Sequence, residues 1–508
     1  MAIQNPVIEL ESISKSFGPV KANKNISLKI EPGTIHGIVG ENGAGKSTLM
    51  SILYGFYKAD SGTIKIQGKR VSIVDSQTAI EHGIGMVFQH FKLVETFTVL
   101  ENIILGAEGG NLIGQSITNA RQTLSKLAED YELNVDPDSL IEGISVGMQQ
   151  RVEILKALYR KAEILILDEP TGVLTPAEAE HLFRILRNLK AEGKTIVLIT
   201  HKLKEIMNVT DTVSVMRQGE MTSTIATNDT SPEKLAELMV GRKVLLRVQK
   251  KPPKVGRTVL ACEKLSYVDK KGIYRLKDIS FEIKAGEILG IAGVAGNGQS
   301  ELLEVLAGIK HADGKLTLNS AEIDLHSTQS TPLTRRHLGI SHVPEDRQRL
   351  GLIMEFYAWE NIALGYHDSD TYNINGIFMN NRAIKSQAEH RINNFDIRPR
   401  NPNLMAKSFS GGNQQKIVLA REIEQNPDLL IVGQPTRGVD IGAIEFIHSR
   451  LINMRDSGKA VLLISVELDE ILSLSDRILV MFDGKIMGEK EASKTNEKEL
   501  GLLMAGVN

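Results

Sequence analysis

The sequence Gly40-Glu41-Asn42-Gly43-Ala44-Gly45-Lys46-Ser47-Thr48 constrains how the rest of this chain can fold. It fits the spacing G-x-x-x-x-G-K-[ST], in which glycines let the backbone wrap around a polyphosphate and turn successive N–H groups toward it. Residues 34–39 are predicted to form a short buried strand, and residues 47–53 open a helix whose N-terminus faces the same anion. The pattern predicts that Lys46 binds the β- and γ-phosphates of a nucleotide and that the Ser47 hydroxyl binds Mg²⁺.

Length and composition limit the classes of protein to which the chain can belong. Its 508 residues exceed what a single core usually holds, so two or more domains are expected. The 60 Lys and Arg nearly balance the 62 Asp and Glu, which indicates no general affinity for nucleic acid or anionic membranes. One cysteine, Cys262, excludes an internal disulfide. No signal-peptide pattern or membrane-length apolar run occurs, so we expect a soluble cytoplasmic protein that reaches a membrane only through a partner.

Strands and helices alternate in the predicted order of elements. Short apolar runs at 84–89, 164–167 and 195–200 are typical of buried strands, and 117–133 has a helical pattern. Asp168 and Glu169 directly follow one of these strands, and His201 follows another. The alternation favours an α/β fold with parallel strands, which places these polar side chains at one edge of a sheet.

The chain contains an internal duplication. Gly40–Ser47 matches Gly293–Ser300, a shift of 253 positions, and Ser145–Arg151 matches Ser410–Lys416, a shift of 265 positions. Val87-Phe88-Gln89 likewise matches Val343-Pro344-Glu345. We therefore predict one domain over 1–243, a linker over 244–256 and a second domain over 257–508. The linker contains Lys250-Lys251-Pro252-Pro253-Lys254 and is predicted to be exposed, with a nucleic-acid-binding patch as the alternative.

The order of these motifs resembles the ABC ATPase family along nearly the whole chain, twice over. The runs Val343-Pro344-Glu345-Asp346-Arg347 and 409–416 are similar to those of the ATPase subunits of simple-sugar or nucleoside importers. The residues at 295–300, 434–438 and 467–470 resemble those of the nucleoside branch more closely. The resemblance implies an α/β fold of two tandem P-loop ABC-type nucleotide-binding domains, each with a mixed sheet and a helical subdomain.

The same resemblance implies ATP and Mg²⁺ as cofactors and assigns a role to each polar side chain. Asp168 would hold Mg²⁺ together with Ser47 and Gln89. Glu169 would polarise the attacking water, and His201 would contact the γ-phosphate. Phe17 would stack on adenine, as Tyr267 would in the second half, although Phe17 could instead belong to the core. The other residues expected to contact nucleotide are Gly40, Asn42, Gly43, Ala44, Gly45 and Thr48 of the first half and Ser410, Gly411, Gly412, Gln414 and Asp440 of the second.

Departures from the motifs fall unevenly on the two halves. The second half has Gln299, Gly433, Gln434 and Val466 at the places of Lys46, Asp168, Glu169 and His201, and Glu345 at the place of Gln89. The first half instead departs in Ser145-Val146-Gly147-Met148, and Thr175 corresponds to Asp440. If each phosphate loop faces the S-G-G signature of the other half, all preferred residues meet in one site. We therefore expect head-to-tail pairing of the halves, with one hydrolytic and one degenerate site.

The resemblance implies partners and a location. Two membrane permease subunits and an extracellular substrate-binding lipoprotein are expected, with the ATPase on the cytoplasmic face and contacts through 90–97 and 352–357. A soluble tandem ATPase acting on ribosomes or DNA is the alternative, although the long charged linker or the coiled-coil and zinc insertions of such proteins are missing here. A nucleotide-sensing scaffold without turnover is a further alternative, and the complete residue set of the first half argues against it.

Overall fold

The structure is a computed structural model that describes residues 5–18, 20–88, 91–107, 113–172, 174, 176–243, 250–294, 296–327, 330–374 and 378–507. The chain divides into two compact units, residues 1–244 and 245–508. The predicted positions Gln89, His90 and Thr175 lie outside the described residues.

The first unit alternates strands and helices as predicted. Its strands are β1 (Ile8–Phe17), β2 (Val20–Ile30), β3 (Ile35–Gly40), β4 (Ser61–Ile66), β5 (Lys69–Val71), β6 (Ile84–Val87), β7 (Ile164–Asp168), β8 (Thr195–Ile199), β9 (Thr212–Arg217) and β10 (Glu220–Ala226). Its helices are α1 (Lys46–Leu53), α2 (Ser76–Glu81), α3 (Val99–Ile104), α4 (Ile113–Asp130), α5 (Val146–Tyr159), α6 (Pro176–Ala191), α7 (Leu203–Val209) and α8 (Pro232–Val240).

Two sheets form the framework of the first unit. The larger has the order β10-β9-β3-β8-β7-β6, parallel from β9 to β6 with β10 antiparallel at its edge. Every residue of β3, β7 and β8 is buried, because a parallel strand in this position is covered on both faces. The smaller, antiparallel sheet has the order β2-β1-β4-β5 and shares a core with β3 and α1. Since parallel strands share one direction, the carboxyl ends of β3, β7 and β8 meet at one edge of the sheet.

The second unit repeats this plan. Its strands are β11 (Thr258–Val268), β12 (Tyr274–Lys284), β13 (Ile288–Gly293), β14 (Asp313–Leu318), β15 (Ala321–Ile323), β16 (Ile340–Val343), β17 (Asn373–Ile374), β18 (Phe378–Met379), β19 (Leu429–Gly433), β20 (Ala460–Ser465), β21 (Arg477–Phe482) and β22 (Lys485–Glu491). Its helices are α9 (Gln299–Leu306), α10 (Pro332–His337), α11 (Ala358–Ala363), α12 (Asn381–Asn394), α13 (Gly411–Ile423), α14 (Ile441–Asp456), α15 (Leu468–Leu474) and α16 (Glu497–Met504).

The sheet orders of the second unit are those of the first. The larger sheet is β22-β21-β13-β20-β19-β16, and the smaller is β12-β11-β14-β15. The phosphate-loop strand therefore occupies the same place in both sheets, and the predicted duplication and fold class are confirmed. Helices α11, α12 and α13 pack together beside the larger sheet around a core that includes Phe395 and Phe409.

Residues 250 and 251, which precede the first strand of the second unit, are hydrogen-bonded to the rest of that unit. The Lys250 ammonium donates to the backbone carbonyls of Leu474 and Ser475. The buried Arg455 guanidinium donates to the Lys251 carbonyl at 2.8 Å. Residues 251–257 are exposed, as predicted, but their backbone is held at these points because a buried guanidinium needs acceptors. Among the described residues, no helix is both long and apolar enough to cross a bilayer.

Candidate nucleotide site

The turn between β3 and α1 is built so that only glycine fits at its key positions. Gly43 and Gly45 have φ angles of +81° and +98°, in the left-handed region that L side chains rarely adopt. A β-carbon at Gly45 would lie 2.7 Å from Asn23 Nδ2 and against the Ala22 carbonyl, while one at Gly40 would meet the Met216 carbonyl. The loop is therefore a closely supported concave turn that ends at the N-terminus of α1, which is the geometry of an anion cradle.

Lys46 lies inside this turn. Its ammonium donates to the carbonyls of Gly40 at 2.7 Å and Glu41 at 3.1 Å, and only 6% of the residue is exposed. Burial lowers the pKa of the ammonium, and the charges of Glu169 and Asp168 partly offset that effect. The lysine thus places a positive charge inside the loop. A polyphosphate bound there would be a stronger hydrogen-bond acceptor for it than the two carbonyls.

Asp168, at the end of β7, lies beside Ser47, the residue that follows the lysine. Burial raises the pKa of this carboxyl, and the neighbouring Ser47 hydroxyl opposes that rise. The Asp168 Oδ1 atom is buried without a hydrogen-bond partner, and a buried oxygen without a partner is costly. A hydroxyl beside an unsatisfied carboxylate oxygen is a donor set that suits Mg²⁺, which commonly binds one or two carboxylates plus substrate phosphates.

Glu169 and His201 meet at the same edge of the sheet, after β7 and β8. His201 Nδ1 lies 2.9 Å from Glu169 Oε1. Burial raises the pKa of Glu169, but the hydrogen bond and charge of His201, with Lys46 and Lys202, outweigh it and hold the pKa below its usual value. The Glu169 backbone has φ +48°, a strained conformation that aims the side chain out of the strand. Glu169 is therefore a carboxylate at neutral pH and is oriented by a neighbouring imidazole.

An exposed aromatic pair lies at the end of β1. The ring of Phe17 is 5.1 Å from that of Tyr57 in an edge-to-face arrangement, and Phe17 is 42% exposed. This exposure disfavours the alternative that Phe17 is a core residue. Each of the two predicted aromatic rings has a lysine ammonium near it, Lys15 Nζ at 5.6 Å from the centroid of Phe17 and Lys310 Nζ at 4.9 Å from that of Tyr267. Thr48 is half-buried in α1, Ala44 is buried, and Asn42 and Ser47 are exposed.

The second unit repeats the cradle without its charged group. Gly298 has φ +101°, and a β-carbon there would lie 2.5 Å from the Arg275 carbonyl. Gln299 takes the buried place of the lysine at the start of α9. Gln434 keeps the strained backbone of its counterpart, with φ +48°, but its Oε1 accepts from the Val466 N–H at 3.4 Å. The backbone turn is thus retained, whereas the residues at the places of Lys46 and Glu169 carry no charge.

The two signature helices begin differently. Ser145 Oγ accepts from the Met148 N–H at 3.3 Å and so caps α5. Ser410 does not cap α13 with its side chain, and its Oγ accepts from Asn413 Nδ2 at 2.9 Å. Each serine Oγ therefore accepts one hydrogen bond, and the units differ at the third residue of the helix: Ser145 caps the Met148 N–H, whereas Ser410 leaves the Asn413 N–H uncapped.

Two other predicted contact residues have structural partners. The Gln414 side chain is buried, and its amide nitrogen donates to the carbonyls of Ala406 at 3.2 Å and Phe409 at 3.0 Å. Asp440 caps α14 through a 2.8 Å bond from the Ala443 N–H. Gln414 therefore holds the segment just before Ser410, and Asp440 holds the start of α14.

Sequence reasoning interpreted Glu345 as a defect and missed its contact. The Ser300 hydroxyl donates to Glu345 Oε2 at 2.5 Å. Arg347 was also missed as a site residue: it donates to the Arg437 carbonyl at 2.7 Å, and a β-carbon at Gly411 would lie 2.5 Å from its Nη2. The Val343–Arg347 run was a visible signal for both, but only the fold brings it beside the loop and the signature.

The segments expected to contact permeases are exposed and internally braced. Val94 and Phe97 are more than one third exposed, as are Ile353 and Phe356 in the second unit. The buried Asn102 exchanges two hydrogen bonds with the Val94 backbone, and Asn361 does the same with Ile353. Each segment therefore presents apolar side chains on a loop whose backbone is fixed by hydrogen bonds to a buried asparagine.

Comparison with known proteins agrees with this geometry. The ABC transporter family model matches residues 23–172 and 276–437. The chain is 48% identical over 503 residues to the nucleoside import ATP-binding protein NupA of Lactococcus lactis, covering 99% of this chain and 98% of that protein. It is also 48% identical to the guanosine import ATP-binding protein NupO of Bacillus subtilis, with 98% and 97% coverage. The ribose import ATP-binding protein RbsA of Clostridium tetani is 36% identical, with 98% and 97% coverage. The chain therefore belongs to the ABC transporter ATPase family and carries two ATP-binding cassettes in tandem.

Proposed function

We propose that this chain energises the import of nucleosides or simple sugars and that one of its two clefts hydrolyses ATP. The observation that carries the proposal is the asymmetry of the clefts: Glu169 is an oriented carboxylate, whereas its counterpart Gln434 is a neutral amide. The names of the full-length relatives favour an importer over a soluble ATPase of ribosomes or DNA. The higher identity to the nucleoside and guanosine proteins than to the ribose protein favours a nucleoside as the cargo.

The first cleft contains the groups that phosphoryl transfer to water requires. The cradle amides and Lys46 hold the β- and γ-phosphates, and Phe17 stacks on the base. Bound Mg²⁺, held by Ser47, Asp168 and Gln89, would neutralise the developing charge on the phosphates. Glu169 accepts a proton from the attacking water, a contribution on the order of 10²–10⁴ in rate. His201 keeps Glu169 oriented and lies within reach of the γ-phosphate.

The hydrolytic site is completed by the signature of the second unit. Ser410 and the amides of Gly411 and Gly412 would supply the positive end of α13 to the γ-phosphate held at Lys46. Support comes from the uncapped start of α13, where the Ser410 side chain leaves the Asn413 backbone N–H unused, whereas Ser145 caps the matching N–H of Met148 in the first unit. Head-to-tail pairing of the units also brings every complete motif into one cleft.

The ATP-driven motion of this chain is coupled to transport by membrane subunits. Two permeases and an extracellular binding protein complete the system, with this chain on the cytoplasmic face. The exposed apolar side chains of 91–97 and 352–357 are the surfaces proposed to contact the permeases. ATP closure and product release would move these surfaces with each turnover.

The test compares two isosteric substitutions at matched positions of the full chain. Glu169→Gln removes the base and is expected to lower steady-state phosphate release by about 10²–10⁴. Gln434→Glu changes the matched residue of the second unit and is expected to leave the rate within about twofold, since that cleft lacks the other catalytic groups. Equal loss from both substitutions would contradict a single hydrolytic site. Retained activity in Glu169→Gln would contradict the role of that carboxylate.

A further inference from the structure

A carboxylate contacts the phosphate-loop serine in both units, but it comes from different strands. In the first unit Asp168, at the end of β7, lies beside Ser47. In the second unit Glu345, two residues beyond β16, accepts from Ser300 at 2.5 Å. The second cradle therefore keeps the hydroxyl and carboxylate pair that suits Mg²⁺ in the first.

The space around Gly433 shows that one carboxylate replaces the other. Gly433 stands where the first unit has Asp168. A β-carbon at this glycine would lie 2.6 Å from Glu345 Cγ and 2.5 Å from Leu303 Cδ1. The Glu345 side chain thus fills the room that an aspartate at 433 would need, and the two cannot be accommodated without rearrangement.

The rest of the second cradle fits a bound nucleotide that is not cleaved. The glycine turn and the N-terminus of α9 offer the same backbone amides as the first. Gln299 and Gln434 are neutral, so the site lacks both the phosphate-binding ammonium and the base. A metal ion held by Glu345 would supply positive charge at a site that has no counterpart of Lys46.

We propose that Glu345 and Ser300 hold the Mg²⁺ of a nucleoside triphosphate on the second cradle, where the nucleotide is retained rather than hydrolysed. This inference rests on the proposed function only in taking the ligand to be a nucleotide. In the sequence Glu345 is a departure from the motif. In this proposal it supplies the carboxylate that is missing at Gly433.

The test measures binding in the full chain carrying Lys46→Ala, in which the first cradle has lost its ammonium. The probe is AMP-PNP, a triphosphate analogue that is not hydrolysed, titrated calorimetrically with Mg²⁺ or with EDTA. We expect removal of Mg²⁺ to weaken binding by about 10- to 100-fold, the range for a lost charged contact. Adding Glu345→Ala, which removes the carboxylate without leaving an amide oxygen in its place, should abolish this difference, leaving affinity at the EDTA value under both conditions.

A matched control and a rescue make the result specific. Glu301→Gln removes a carboxylate from the first turn of α9, whose charge acts on Glu345, and should leave the Mg²⁺ dependence intact. The pair Glu345→Ala with Gly433→Asp removes the Cγ that a β-carbon at 433 would meet, returns the carboxylate to the strand position used in the first unit and should restore the Mg²⁺ dependence. With Mn²⁺ in place of Mg²⁺, electron paramagnetic resonance should detect nucleotide-dependent bound metal in the Lys46→Ala chain and none after Glu345→Ala.

Each other outcome counts against the inference. Binding that is independent of Mg²⁺, no binding in the Lys46→Ala chain, or unchanged Mg²⁺ dependence after Glu345→Ala would overturn it, once thermal melting shows the variant folded. If Glu345→Ala fails to fold, the rescue pair must restore both folding and Mg²⁺ dependence. Because these readouts are equilibrium binding, they are separate from the phosphate-release test of Glu169.

Discussion

Replacing Gly45 by alanine should damage the first unit far more than replacing Gly43, although both glycines lie in the same turn. An alanine at either position must adopt a left-handed backbone, which costs about 1–2 kcal/mol. A β-carbon at Gly43 meets nothing within 4 Å, so the cost ends there. At Gly45 it meets the Ala22 carbonyl and Asn23 Nδ2, the group that donates to the Gly45 carbonyl at 3.1 Å. Such overpacking adds about 1–3 kcal/mol, for a total of about 2–5 kcal/mol.

Hydrogen exchange read by mass spectrometry suits this comparison because it reports the two units separately. Peptides that cover β3 and α1 should exchange roughly tenfold faster in Gly43→Ala, and roughly 100-fold faster or more in Gly45→Ala, since about 1.4 kcal/mol corresponds to a factor of ten. Peptides of β13 and α9 serve as the internal reference. Equal acceleration by the two substitutions would refute the reasoning, because it would mean that contact with β2 contributes nothing.

Two predictions concern histidines. His201→Ala removes the bond that lowers the pKa of Glu169, so phosphate release should fall and the acidic limb of its pH profile should move to higher pH. The control is His181→Ala, a half-buried histidine of α6 that contacts Glu132 and Arg184 instead, and it should change neither quantity. An unmoved limb in His201→Ala would contradict the contact. His36 is buried against Ser214 Oγ at 2.8 Å, and burial lowers its pKa to about 4. The unfolded chain therefore takes up a proton that the fold resists, and stability of the first unit should fall as pH drops below about 6.5, by about 2 kcal/mol at pH 5. Thermal melting across this range checks it, and a slope that His36→Gln leaves unchanged would assign the loss to other groups.

Much of the candidate site was predictable because its signals are local. A glycine loop between a buried strand and a helix, and polar residues directly after apolar runs, depend on neighbours within a few positions. Asp168, Glu169 and His201 were therefore identified before their contacts were visible. Phe17 could not be separated from a core residue, since exposure depends on what packs against it. Glu345 was misinterpreted for the same reason: its partner Ser300 lies 45 positions away.

The sequence by itself determined the duplication, the alternation of strands and helices and the residue types of both phosphate loops, because these follow from spacing along the chain. Only the tertiary structure decided which side chains meet. It placed the Glu345 carboxylate on Ser300, left Asp168 Oδ1 without a partner and turned Glu169 toward His201. The physical reason is that parallel strands distant in sequence end at one edge of a sheet, so their hydrogen bonds and steric limits depend on three-dimensional neighbours that no local pattern records.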